Sequence, residues 1–142
     1  MSPKKALVAG LVLTALATAA PLVDLATVDN IGDHVRSAYP QWSAADVNKD
    51  RTAIAVYLVA VGVLGLAGWL TTLAGVNRGK RWARWVGTTL FAVGATVALI
   101  DMSIGGEAYT TIVPLFHGAL GLLPAVAGVF AVLALWRTRP SE

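Results

Sequence analysis

Four long apolar runs set the terms for any fold this chain can adopt. They are Ala6–Val28, Thr52–Val76, Trp82–Ile100 and Thr110–Trp136. Crossing the hydrocarbon core of a bilayer takes about 20 predominantly apolar residues in a helix. Asp24 near the end of the first run, Arg84 at the edge of the third and His117 in the fourth are the only Asp, Glu, Lys, Arg or His side chains in them. Lipid offers no partner to an unpaired backbone group, and runs of this length exceed a strand, so each is predicted to be helical. Composition leaves little room for a different answer. The chain has 142 residues, of which 56% are hydrophobic and 13% charged, against about 25% charged in a soluble domain. A domain this small has too much surface to hide that surplus in an aqueous core. A soluble globular enzyme and a disordered chain are both excluded on these grounds. The absence of cysteine removes disulfide frameworks, thiolate metal sites and redox chemistry through a Cys pair. The expected fold is all-α: one integral membrane four-helix bundle over residues 1–142 with a short helical outside loop.

The basic residues predict how the bundle is threaded. Lys4 and Lys5 precede the first run. Arg78, Lys80, Arg81 and Arg84 lie between the second and third, and Arg137 and Arg139 follow the fourth. Only Arg36, Lys49 and Arg51 fall on the opposite side. Positive loops stay cytoplasmic, so both termini are expected inside the cell and the protein in the plasma membrane. Trp82, Trp85 and Trp136 fall at the inner interface and Tyr109 at the outer one, where amphipathic rings anchor helices. The positive charge is thus a topology signal, with an attraction to anionic headgroups and no implication of nucleic acid. A competing reading takes Lys4, Lys5, the apolar run and Ala17-Thr18-Ala19 as a secretory signal peptide cleaved after residue 19. Against it, apolar residues continue through Leu22, Val23, Leu25 and Val28.

Asp29–Arg51 is the one sizeable segment expected outside. Asp29 or Asn30 is a candidate cap for a short helix, Ile31–Ala38. Ile31, Val35 and Ala38 share one face of it, suited either to the lipid surface or to the bundle. Tyr39-Pro40 ends this helix. Ser43, with Asp46 three residues on, can cap the second span, which then begins as early as Ala44. The segment reads first as a connector resting on the bundle and second as a cap facing a partner or ligand. Asp46-Val47-Asn48-Lys49-Asp50 opens like a calcium loop but has Arg51 and Tyr57 where that loop needs Gly and Glu, so no calcium site is expected.

Within the spans, the rise of 1.5 Å per residue puts Asp24 and His117 about 28–30 Å from the inner basic residues and Asp101 about 25 Å from Arg84. All three fall near the outer boundary, a candidate polar cluster for a cation or proton whose alternative is three separate interfacial groups. The midplane carries no charge, which weighs against proton-coupled transport. No metal, cofactor or catalytic set is expected. Gly62, Gly65 and Gly68 in the second span and Gly118 and Gly121 in the fourth are the expected helix-packing positions, within the bundle or between copies of it. Pro124 removes one hydrogen bond in the fourth span and is expected to kink it.

Several marks occur together: Ala38-Tyr39-Pro40 outside, Gly79-Lys80-Arg81-Trp82-Ala83-Arg84-Trp85 before the third span, Leu120-Gly121-Leu122-Leu123-Pro124 within the fourth and Leu135-Trp136-Arg137 at its end. With the lysine-led first span, they resemble small four-span integral membrane proteins of actinobacteria with no established activity. The resemblance implies a location and carries no catalytic residue. The expected role is non-enzymatic: a scaffold, sensor or accessory to a membrane partner, in contact with the bilayer and with another membrane protein or further copies of itself. The alternative is a small transporter or channel acting as an oligomer, which would show a polar lumen.

Overall fold

The computed structural model of the protein describes residues 1–138; Arg139, counted above among the basic residues, lies outside them. Five helices follow one another: α1 Pro3–Ala26, α2 Asn30–Ala38, α3 Ala44–Asn77, α4 Trp82–Ser103 and α5 Leu115–Arg137. All but α2 are long and apolar enough to cross a membrane.

Local chemistry explains most of the boundaries. Ser2 caps α1, its hydroxyl accepting from the Lys5 amide at 3.3 Å, and Pro3 occupies a first-turn position where no amide is needed. Pro21 lies inside α1 and is fully buried. Ser43 caps α3 by accepting from the Asp46 amide at 3.2 Å and donates its hydroxyl to the Asp46 carboxylate at 3.1 Å. This starts α3 at Ala44 rather than at Thr52. Its 34 residues span about 50 Å, well beyond the hydrocarbon thickness, so the first turns project from the bundle. Between α3 and α4 the chain reverses at Gly79, whose φ of +63° favours glycine, and the Lys80 amide donates to the Gly75 carbonyl at 2.9 Å.

The fourth span starts later than the apolar run implies. Thr110–Pro114 belong to the loop, and α5 begins only at Leu115. Pro114 is the cause: it disfavours helical geometry in Val113 and itself sits extended at ψ 140°. The loop before it holds a tight turn in which Gly106 and Tyr109 exchange backbone hydrogen bonds. Pro124 lies within α5, which continues past it to Arg137.

The spanning helices form a closed ring in the order α1, α3, α4, α5. Each packs on its two neighbours, while the backbones of the diagonal pairs α1–α4 and α3–α5 make no close approach among the described residues. Neighbours run antiparallel, so one end of the ring carries the α3–α4 turn and the other carries α2 and the α4–α5 loop. The outward faces are apolar, with Leu16, Leu64, Val93 and Phe130 all exposed. That is the reverse of a water-soluble surface and the pattern expected where lipid is the solvent.

Candidate functional site

Two candidate regions stand out, one at the end that carries α2 and one between the spans. The first is a cap built on the ring. The apolar face of α2 turns down onto α3: Ile31 and Val35 are each 0% exposed and pack with Tyr39, Val47, Ile54 and Ala55. Of the two surfaces open to that face, it takes the bundle rather than lipid. Polar side chains then tie the cap together. Asp29, held at φ 53°, caps α2 by accepting from the Gly32 amide at 3.0 Å. Its carboxylate also receives Arg51 Nε at 2.8 Å and Arg36 at 3.0 Å. Burial alone would raise the Asp29 pKa; the Arg51 and Gly32 hydrogen bonds and the two guanidinium charges outweigh it and hold it below the usual carboxylate value. Arg51 also donates to the Leu25 carbonyl at 3.1 Å, which joins the end of α1 to α3.

The α4–α5 loop is fastened to the same platform. His34 lies 2.8 Å from the Thr111 carbonyl and stacks on Tyr109. The Tyr39 hydroxyl donates to Glu107 at 3.0 Å and the Tyr109 hydroxyl to Asp50 at 2.9 Å. Burial and then the Asp50 carboxylate push the Tyr109 pKa upward, so the phenol keeps its proton as donor. Tyr39 stacks on Trp42 with ring centroids 3.7 Å apart. Tyr109, expected at the outer interface, also serves as a strut of the cap. Beside this platform an open groove of about 420 Å³ runs past Arg36, Pro40, Trp42, Asn48 and Arg51.

The second region lies between the spans, where polar contacts link each neighbouring pair in the ring. The Trp69 indole donates to Thr14 at 2.8 Å between α3 and α1, and the Trp136 indole to Thr88 at 2.9 Å between α5 and α4. Tyr57 donates to Asp101 at 2.6 Å between α3 and α4. His117 of α5 stands 4.0 Å from Asp24 of α1. The predicted polar cluster therefore divides. Asp24 and His117 meet. Asp101 accepts instead from Tyr57, and the ring sets its helix α4 diagonally across from the α1 that carries Asp24. No group of three metal-ligating side chains forms among the described residues. Asp24 serves as a helix cap. Its two carboxylate oxygens accept the Asn30 and Ile31 amides at 3.0 Å each, closing the start of α2. Spacing alone offers only Asp29 and Asn30 as that cap, because it does not show α1 folding back over α2. His117 is only 4% exposed, and neither ring nitrogen has a hydrogen-bond partner among the described residues. A buried polar group left in that state costs about 1–3 kcal/mol.

His117 and Asp101 line one end of a cavity of about 310 Å³ that runs down between the helices past Gly62, Gly65, Phe91, Gly121 and Pro124. Its lining also includes Leu64 and Val93, which are 73% and 57% exposed, so the cavity opens sideways between α3 and α4. The predicted packing glycines can be judged by what a methyl group would meet. At Gly62 it would overlap Thr18, at Gly65 it would touch Thr14 Cγ2 at 3.1 Å, and at Gly68 Leu90 Cδ1 at 3.1 Å. At Gly118 it would meet Met102 Sδ at 2.8 Å. These four are contact positions inside one bundle. Gly121 is not: nothing lies within 4 Å, because it faces the cavity. Sequence spacing put Gly118 and Gly121 in one stripe and could not separate a packed face from an open one. Gly10 against Trp69, Gly75 against Trp82, Gly87 against Leu135 and Gly128 against Phe91 are further close approaches. The chain matches no protein-family model, no curated protein and no solved structure.

Proposed function

We propose that this chain is a non-enzymatic, multi-pass protein of the plasma membrane, with both termini cytoplasmic, that acts as a scaffold or accessory to a membrane partner met at its outer cap. The observation that carries this reading is the construction of the cap. Joining two antiparallel spans needs only a turn, as the short link at Gly79 between α3 and α4 illustrates. At the other end, α2, the start of α3 and the α4–α5 loop are ordered against one another by buried apolar contacts, ion pairs and tyrosine–carboxylate bonds. Ordering that much chain costs roughly 1–2 kcal/mol per residue in backbone entropy alone. A connector needs no such order; a recognition surface does, because preorganisation lowers the entropy cost of binding. The charged top of the cap and the groove at Trp42 supply the polar rim and aromatic centre common in interfaces. The basic residues at the turn end support a cytoplasmic placement of that end.

A photocrosslinking amino acid at Gln41, beside the groove, tests the proposal in native membranes. The expected result is a discrete crosslink to one membrane protein, lost when Arg51→Met loosens the cap and absent from the same probe at lipid-facing Leu16. A crosslink to a second copy of the chain would make the scaffold a homo-oligomer. Equal labelling from both positions, or solute flux through the purified protein in liposomes, would overturn the proposal in favour of no partner or of a transporter.

A further inference from the structure

We infer that the cavity between α3 and α4 is a binding site for a bilayer-borne molecule with a single apolar chain and a hydroxyl head, the head meeting His117. This goes beyond the scaffold reading and does not depend on it. Three observations converge. The first is access: the cavity opens between α3 and α4 where Leu64 and Val93 are exposed, so a ligand enters from hydrocarbon without crossing the cap. The second is size and lining. Its volume of about 310 Å³ is at the lower end of ligand pockets, which suits a slender chain. Leu64, Gly65, Leu90, Phe91, Val93 and Gly121 make the wall apolar. The third observation is His117. It is buried, it lines the end of the cavity, and neither nitrogen is hydrogen-bonded within the described residues.

The chemistry of that end selects the head. A neutral imidazole offers one donor and one acceptor, and a hydroxyl can satisfy either. A carboxylate or phosphate head is disfavoured, since the Asp24 carboxylate stands 4.0 Å from the ring and Asp101 lines the same end. Asp24 is already bonded to two amides and Asp101 to Tyr57. The free oxygen of Asp101 can still accept from a hydroxyl, but His117 is the side chain at this end with neither polar atom hydrogen-bonded within the described residues.

The test uses the purified full-length protein in nanodiscs of defined phospholipid and, as probe, a long-chain alcohol carrying a diazirine near its far end. Adducts are expected on α3 and α4 around Leu64 and Val93 and should be competed by unlabelled alcohol but not by the matching fatty acid. Gly121→Leu fills the cavity from a position that has open space and should abolish competable labelling. Gly94→Leu, also from open space beside the entrance, keeps the test decisive if the first variant is unstable. His117→Leu keeps the chain site and removes the head contact, so the competing alcohol should weaken about tenfold and its advantage over the fatty acid should vanish. Labelling spread evenly over the outward faces of all four spans, or unaltered in every variant, would overturn the inference. So would equal competition by alcohol and fatty acid in the unmodified protein.

Discussion

Replacing Gly62 and Gly121 by alanine, each alone, should shift stability in opposite directions, although the two substitutions are chemically the same. Both glycines lie inside spanning helices, so alanine gains helix propensity of about 0.8–1 kcal/mol at either position. The surroundings differ. A methyl at Gly62 would overlap the Thr18 side chain, coming within 2.8 Å of its Cβ and 2.9 Å of its Cγ2. Thr18 is short, β-branched and bonded to the Thr14 carbonyl at 2.7 Å, so it has no flexible end to swing aside. The α1 and α3 backbones must separate instead, and overpacking of this kind costs about 1–3 kcal/mol. At Gly121 a methyl meets nothing within 4 Å. Because propensity cancels in the comparison, the gap between the variants isolates the packing cost: about 1–3 kcal/mol, with Gly121→Ala the more stable. The assay is equilibrium unfolding of both purified variants and the parent in one detergent, followed by tryptophan fluorescence. Equal stability of the two variants, or a Gly62→Ala protein more stable than Gly121→Ala, would refute the claim that Gly62 is a contact of the α1–α3 interface.

Other consequences concern the cap. Arg51→Met removes the bonds to Asp29 and to the Leu25 carbonyl; hydrogen exchange in α2 should quicken roughly ten- to hundredfold, matching a loss of about 1.5–3 kcal/mol. Asp24→Ala uncovers the Asn30 and Ile31 amides and should destabilise α2 by about 1–2 kcal/mol; circular dichroism should still report four intact spans, and a collapse of the whole bundle would contradict a capping role. Because the Asp29 pKa is lowered in the fold, its contribution is complete above the unfolded value of about 3.9 and is lost as pH falls through the folded one. Protection of the Gly32 amide should therefore decline on acidification below about pH 4, and Asp29→Asn should flatten that decline; an identical acid profile in both proteins would show that Asp29 is not the responsible group.

The spans were legible because apolar length is a local property: α1, α3 and α4 fall where the runs lie, and Ser43 with Asp46 marked the early start of α3. The late start of α5 was readable in principle from Pro114, whose effect on Val113 is also local, yet hydropathy alone carries the run back to Thr110. What spacing could not show is the order of the ring. Depth along each helix placed Asp24, Asp101 and His117 at one level, and nothing in the chain specified that α1 and α4 stand on a diagonal. The same missing information hid the open setting of Gly121 and the aromatic and carboxylate struts of the cap. His34, Tyr39, Glu107 and Tyr109 come from segments some seventy residues apart, and only the folded ring brings them together.

Four helices long and apolar enough to cross a membrane form a ring, with the cap at one end and the α3–α4 turn and the start of α1 at the other. Single cysteines at Ser2, Ser43, Lys80 and Ala108 test the threading of this ring in a chain that has none of its own. With a membrane-impermeant thiol reagent on intact cells, labelling is expected at Ser43 and Ala108, and at Ser2 and Lys80 only after the membrane is opened. Labelling of Lys80 on intact cells, or opposite accessibility of Ser43 and Ala108, would contradict it.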